Sequence, residues 1–230
     1  MTAKTILRAR RPFRDWRYCY WLGRERLYSA SRVIRDLGLK PDFSDVDEAV
    51  VRKAACRGKL TEGYCYRLLA GEPVTIRSKH CGSLQDDVSV RVEAFYRWME
   101  KYKPTEIEIG GIVWSVEDQV AWETDFRCTI AGVRTLVDIK CTSTTAKDWP
   151  LQLGCGLTYD PSCQSAAILR LNPKMNKAGY RFIDFPAAKV REQWGRAVRH
   201  WRSEHDFNRL KAEMGFESEA KGFETEEDAA

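Results

Sequence analysis

The amino-acid sequence predicts a mixed α/β fold in which helices come first and a sheet follows. Between Val88 and Tyr102, apolar residues recur at three- and four-residue steps, the period of a helix, and Pro104 ends the pattern. Between Thr105 and Cys141, three segments instead alternate apolar and polar residues one by one, the period of a strand. This change of period predicts α/β or α+β architecture.

Two further helices are predicted ahead of this helix. The first covers Ser31–Leu37 and is ended by Gly38. The second is capped by Ser44 and runs towards Gly71. The chain therefore begins its folded part with a helical region.

The strands and the elements after them follow from the same patterns. Three strands are predicted at Thr105–Ile109, Val120–Cys128 and Arg134–Cys141. The sequence Asp148-Trp149-Pro150 is typical of a helix start, with proline in the first turn. Beyond that helix, a hairpin is predicted from Ala166–Leu171 and Tyr180–Phe185. The last helix carries one apolar stripe, formed by Val190, Trp194, Val198 and Trp201.

The 230 residues suffice for one domain with extensions. Residues 1–27 form a basic, aromatic segment, residues 28–210 the domain, and residues 211–230 an acidic tail with little to bury. No apolar run approaches the roughly 18 residues needed to cross a bilayer, and the N-terminus lacks the apolar stretch of a secretory signal. We therefore expect a cytoplasmic protein with no membrane association.

The eight cysteines are scattered, and no two are spaced as CxxC. This distribution favours reduced, structural thiols. An iron–sulfur cluster stays open as an alternative, because its ligands can be distant in sequence.

The N-terminal segment is a candidate nucleic-acid contact. Residues 1–28 carry eight Lys and Arg against two acids, and aromatic residues are interleaved with the basic ones. Such a segment could bind phosphates while its rings stack on bases. Alternatively, it is an amphipathic packing segment whose arginines face water. The predicted nucleic-acid contacts are Arg10, Arg11, Arg14, Trp16, Arg17 and, on the second helix, Arg57.

The second and third predicted strands carry the residues that suggest chemistry. A two-residue turn at Ala131-Gly132 would place Asp125 opposite Asp138 and Glu123 opposite Lys140. Directly opposed residues have Cβ atoms about 4.5–5.5 Å apart, and like charges at that range destabilise a sheet. Mg²⁺ would relieve the repulsion, since it prefers oxygen ligands and often takes one or two carboxylates. The pattern therefore predicts a metal site beside a lysine.

A second interpretation involves no metal. Glu123 and Lys140 would then form an ordinary cross-strand ion pair, and Asp138 would be a solvated surface residue. The register also matters, because a slip of one residue would move half of this set to the opposite face of the sheet.

These residues resemble the PD-(D/E)XK nucleases. In that family, a strand with one aspartate is followed by a strand ending in Asp/Glu-x-Lys and by a helix that starts with Gln-Leu. The corresponding segments are WETD (Trp122–Asp125), LVDIK (Leu136–Lys140) and WPLQL (Trp149–Leu153). The resemblance is closest to the RecB-like and phage-encoded exonuclease branch and covers about residues 28–207. It implies a restriction-endonuclease-like core, with a central mixed sheet flanked by helices.

The resemblance also implies roles for individual residues. Lys140 would position or help deprotonate the attacking water, and Gln152 would hold that water or the lysine. Glu62 stands where relatives have histidine in the pattern RG-x-x-x-His, and the family's Gln-x-x-x-Tyr is only half present. The implied metal ligands are Asp125, Asp138, Glu108 and Glu62, and the implied catalytic residues are Asp125, Asp138, Lys140 and Gln152.

The activity implied by the resemblance is that of a Mg²⁺-dependent DNA exonuclease of phage or recombination and repair type, with Mn²⁺ as a substitute metal. An endonuclease would use the same site. A different class is also open: a nucleic-acid-binding recombination accessory protein that has lost turnover, as Glu62 in place of histidine suggests. The expected partner is DNA. A recombination protein and a second copy of the chain are further candidates.

Overall fold

The structure is a computed structural model that describes residues 19–22, 25–77 and 82–213, with side chains at 20–22, 26–77 and 82–206. The predicted contacts Arg10, Arg11, Arg14, Trp16 and Arg17 lie outside these ranges. The helices are α1 (Ala30–Asp36), α2 (Glu48–Leu69), α3 (Gln85–Tyr102), α4 (Trp149–Tyr159) and α5 (Ala187–Glu213). The strands are β1 (Cys19–Leu22), β2 (Glu25–Ser29), β3 (Thr105–Ile109), β4 (Ile112–Ser115), β5 (Val120–Glu123), β6 (Phe126–Ile130), β7 (Val133–Lys140), β8 (Ser165–Leu171) and β9 (Tyr180–Phe185).

A five-stranded mixed sheet forms the centre of the fold, in the order β3-β6-β7-β8-β9. Strands β7 and β8 are parallel, and the other neighbours are antiparallel. A parallel pair needs a crossover connection, and α4 supplies it between these two strands. The predicted architecture of a central mixed sheet flanked by helices is confirmed.

Helices cover both faces of the central sheet. On one face, Phe95 and Trp98 of α3 belong to a buried cluster with Phe126 and Val137 of the sheet. The cluster on the other face joins α4 and α5 to the sheet and includes Leu136, Leu153, Ile168 and Trp194. The stripe predicted for the last helix is buried in this second cluster.

Two glycines allow α4 to approach its neighbours closely. A Cβ at Gly156 would collide with Leu136 of β7 and Trp122 of β5, and a Cβ at Gly154 would collide with the Val190 carbonyl of α5. Packing this tight leaves α4 little freedom to shift. The side chains at its start are therefore held firmly relative to β7.

The predicted strand Val120–Cys128 is wrong, because the chain changes sheets within it. Strand β5 pairs in a second, four-stranded sheet of order β1-β2-β5-β4, whereas β6 belongs to the central sheet. At the break, Thr124 donates from its backbone N–H to Gly111 O (2.9 Å) and from its hydroxyl to Gly110 O (3.0 Å). Gly110 N–H in turn donates to Asp125 O (2.7 Å). The two chain segments cross between the sheets side by side.

Two other expectations are corrected. Helix α2 begins at Glu48, and its N-cap is Asp47, which accepts from Ala49 N–H at 2.7 Å. Ser44, the predicted cap, instead donates its N–H to Asp42 in the preceding loop. The short strands β1, β2 and β4 were not predicted. None of the helices that the structure describes is both long and apolar enough to cross a membrane.

Candidate active site

The hairpin between β6 and β7 has the predicted turn and register. Ala131 (φ 49°) and Gly132 (φ 79°) are both left-handed, as a two-residue turn between twisted strands requires. Pairing runs from Ile130 opposite Val133 to Phe126 opposite Val137. The residues next in line are Asp125 and Asp138.

Asp125 lies where the chain enters the central sheet, one residue before β6. Its Oδ2 accepts a hydrogen bond from the backbone N–H of Ile139 at 2.6 Å. Its Oδ1 accepts from the hydroxyl of Tyr66 on α2 at 3.1 Å. The carboxylate is thereby held beside the backbone of β7, next to Asp138.

The lysine side of the site consists of Asp138, Lys140, Gln152 and Asp148. Asp138 is buried, and its Oδ2 lies 2.6 Å from Lys140 Nζ. Lys140 Nζ donates to Gln152 Oε1 (3.1 Å), and Gln152 Nε2 donates to Asp148 Oδ2 (2.9 Å). A carboxylate accepts hydrogen bonds and has none to donate, so Asp148 must face the NH2 group of the Gln152 amide. The amide oxygen therefore faces Lys140.

The acidic side of the site consists of Glu62, Tyr66 and Asp125. Glu62 and Tyr66 are four residues apart on α2 and so share one face of the helix. The Tyr66 hydroxyl lies 2.6 Å from Glu62 Oε1 and 3.1 Å from Asp125 Oδ1. This single hydroxyl links the helix to the first aspartate.

Burial and like charge make this a region of high negative potential. Burial, and then the charge of Asp138, raise the pKa of Asp125 well above its usual range. Burial also raises the pKa of Asp138, although the neighbouring Lys140 opposes this. Burial by itself would lower the pKa of Lys140, but the two aspartates outweigh it, and the pKa is raised. Lys140 therefore stays protonated, and the aspartates repel one another.

The donor set suits a hard divalent cation. Asp138 Oδ2 is buried and accepts no well-aligned hydrogen bond from any described residue, despite its contact with Lys140. In the described ranges, no three or more His, Cys, Asp or Glu are grouped closely enough to hold a metal by themselves. Mg²⁺ commonly keeps several waters and takes only one or two carboxylates, so Asp125 and Asp138 could hold it.

Glu108 and Glu123 do not join these groups. Glu108 pairs with Arg127 of β6, and its Oε1 lies 2.5 Å from Arg134 Nη2, so its carboxylate is bound by an arginine. Glu123 was predicted to lie opposite Lys140, which is wrong. Its backbone pairs with Ile112 of β4, and its side chain is exposed.

Two arginines hold the loop that follows Lys140. Arg57, a predicted DNA contact, lies 3.3 Å from Asp87 Oδ2 and donates to Cys141 O at 3.4 Å. Arg170 donates to Thr142 O (3.0 Å) and Thr145 Oγ1 (3.2 Å). Arg57 thus lies beside the end of β7, where it binds protein groups.

Sequence reasoning missed Asp148 and Tyr66 as members of the site. Both could have been found from helical spacing. Asp148 precedes Gln152 by four residues, and Tyr66 follows Glu62 by four, so each lies on the same helix face as a predicted site residue.

The cysteines with described side chains are free thiols, and most of them are buried. Burial raises the pKa of Cys65 and Cys155 well above the usual value. The side chains of Cys19 and Cys81 lie outside the described ranges. Six thiols are free: Cys56, Cys65, Cys128, Cys141, Cys155 and Cys163.

By sequence, the chain matches no protein-family model and no curated protein. Among solved structures, it is similar to the alkaline exonuclease LHK-Exo from Laribacter hongkongensis, with 13% identity, a TM-score of 0.39, and coverage of 82% of this chain and 94% of that one. A structure of LHK-Exo in complex with dAMP gives 13% identity, a TM-score of 0.43, and coverage of 81% and 92%. At such identities and scores, the likeness carries no argument about chemistry.

Proposed function

We propose that the chain is a Mg²⁺-dependent deoxyribonuclease that hydrolyses phosphodiester bonds, with exonuclease action as the first choice. One observation carries the proposal: the β6–β7 hairpin brings Asp125, Asp138 and Lys140 together, and Gln152 holds the lysine from the start of α4. Two aspartates with raised pKa values beside a half-buried, charged lysine are typical of a functional site.

The proposed roles follow from the contacts. A cation held by Asp125 and Asp138 would supply Lewis acidity to the scissile phosphate and lower the pKa of a water. Lys140 Nζ, protonated and fixed by Gln152, would stabilise the negative charge that develops on the phosphate oxygens. Asp148 would keep the Gln152 amide in the orientation that accepts from Lys140. Water adds to phosphorus and the bond to the 3′ oxygen breaks, which leaves a 5′-phosphate.

DNA is proposed as the substrate on the basis of the sequence resemblance and the basic, aromatic N-terminal segment. A recombination protein and a second copy of the chain remain candidate partners within this proposal.

The test is a degradation assay on end-labelled linear DNA and on covalently closed circular DNA, each with Mg²⁺ or Mn²⁺. We expect the linear substrate to be degraded and the circle to survive, whereas loss of the circle would indicate an endonuclease. Asp138→Ala should be inactive. Asp184→Ala, an exposed aspartate of the same sheet on β9, is the matched control and should retain activity. Equal product from wild type and Asp138→Ala, or no product from either, would refute the proposed nuclease activity.

A second candidate is a nucleic-acid-binding accessory protein without turnover. It is favoured by the absence of a three-residue metal group in the described part of the chain and by Glu62 in place of histidine. Tight binding of DNA by the wild type, with no product under any divalent cation, would favour this candidate over the nuclease.

A further inference from the structure

We propose that the Tyr66 hydroxyl is a positioning group that holds the carboxylates of Glu62 and Asp125 side by side for the divalent cation. This inference rests on the proposed metal site and adds a residue to it that does not itself bind metal. Outer partners of metal ligands fix their orientation, and their loss typically weakens metal binding about 10- to 100-fold.

The contacts of Tyr66 connect two distant parts of the chain. Its hydroxyl is 2.6 Å from Glu62 Oε1, on the same helix, and 3.1 Å from Asp125 Oδ1, at the crossing between the sheets. Among the described residues, Tyr66 is the only hydrogen-bond partner of the Glu62 side chain. Without this hydroxyl, the Glu62 side chain would lose its hydrogen-bonded link to Asp125.

The proton count explains why this contact concerns a cation. A tyrosine hydroxyl has one proton, so it can donate to only one of the two carboxylates at a time. The carboxylate that does not receive this proton then lies near the negative charge of the other carboxylate, without a hydrogen bond from Tyr66. A divalent cation at Asp125 would supply the missing positive charge, and the hydroxyl could then donate fully to Glu62.

The role of the hydroxyl can be separated from the packing of the ring. Tyr66 is half-buried, and its ring packs against the cluster that contains Cys65, Phe126 and Val137. Phenylalanine preserves this apolar packing and removes only the oxygen. Tyr66→Phe is therefore a selective variant, and Tyr96→Phe, on the exposed surface of α3, is the matched control.

The experiment is a Mn²⁺ titration of the full chain, followed by the electron paramagnetic resonance signal of free Mn²⁺, in wild type, Tyr66→Phe, Tyr96→Phe and Asp125→Ala. We expect Tyr66→Phe to raise the Kd for Mn²⁺ about 10-fold, Tyr96→Phe to leave it unchanged, and Asp125→Ala to abolish the site. In degradation assays, Tyr66→Phe should raise the KM for Mg²⁺ while kcat at saturating Mg²⁺ stays near the wild-type value. A merely structural role would not produce this split.

Two results would overturn the inference in distinguishable ways. If Asp125→Ala loses Mn²⁺ but Tyr66→Phe binds it like wild type, the metal site stands and the role of Tyr66 is wrong. If Asp125→Ala and wild type bind Mn²⁺ equally, the proposed metal site is wrong and the inference fails with it. Because Tyr66 would act through Glu62, its replacement should also have less effect on Kd in a Glu62→Gln background. Full additivity of the two substitutions would contradict this route.

Discussion

The lysine side and the acidic side of the site differ in what offsets the negative charge of their carboxylates. On the lysine side, the ammonium group of Lys140 contacts the carboxylate of Asp138 and donates to the amide oxygen of Gln152. The amide NH2 of Gln152 in turn donates to the carboxylate of Asp148. On the acidic side, two carboxylates share one hydroxyl proton. The lysine side therefore carries a positive charge of its own beside Asp138, whereas the acidic side has only a shared hydroxyl proton and depends more strongly on a cation. The following substitutions test this division.

Asp125→Asn should have the largest effect, because it removes a carboxylate that faces both sides. The amide preserves the size of the side chain and the acceptor for Ile139 N–H. We expect activity to fall by more than about 100-fold, beyond what outer partners of a metal ligand contribute, and Mn²⁺ binding to be lost. Initial rates and Mn²⁺ titration measure the two effects. Unchanged Mn²⁺ binding would place the cation elsewhere.

Lys140→Met should lower kcat by about 100-fold, the usual cost of removing one group that stabilises developing negative charge. Because Lys140 belongs to the lysine side, the Kd for Mn²⁺ should not rise. Single-turnover rates at saturating Mg²⁺ would measure the loss. A large increase in Kd with normal single-turnover rates would contradict the division between the two sides.

Asp148→Ala should reduce kcat by about 10-fold, because Gln152 would lose the acceptor that fixes its amide. Asp148→Asn retains an oxygen that can accept from Gln152 Nε2, so its activity should lie closer to wild type. Steady-state kinetics of the pair would test the orienting role. Equal losses in both variants would instead indicate that the charge of Asp148 matters.

The smallest effect concerns stability and pH. Since the folded state raises the pKa of Asp125, it binds this proton more tightly than the unfolded chain does. The stability of the wild type should therefore fall as pH rises from about 4, the usual carboxyl pKa, through the raised value. Asp125→Asn lacks this decline, so without metal its stability relative to wild type should be greater at pH 8 than at pH 5. Urea unfolding at pH 5 and pH 8 measures the free energy of unfolding of both proteins. A variant that is destabilised equally at both pH values would contradict the prediction.

The sequence was sufficient for the hairpin but not for the crossing between sheets. A two-residue turn and strict alternation determine the register from Phe126 to Val137, and with it the position of Asp138. The alternation in the sequence also continues through Thr124 without a break, so it does not show where one strand ends. The strand pairing and the hydrogen bonds to Gly110 and Gly111 show that the chain leaves one sheet for the other.

Contacts between side chains on elements that are distant in sequence were equally hard to foresee. The ion pair between Glu108 and Arg134 depends on a strand neighbour that lies far away in sequence. The Tyr66 contact with Asp125 joins α2 to the sheet and depends on how the helix packs. Lys140 and Gln152, by contrast, lie at the ends of adjacent elements, so the order of the elements was enough to predict that they would be close.

The short turn at Ala131–Gly132 also affects the order of events during folding. Hairpins form in about 1–10 µs, and contacts between distant segments generally form later. Asp125 and Asp138 should thus come together at an early stage, before α2 packs against the sheet and brings Glu62 and Tyr66 next to Asp125. Their mutual repulsion would then act while the hairpin forms as well as in the finished protein, so acid or a divalent cation should speed the folding of this chain.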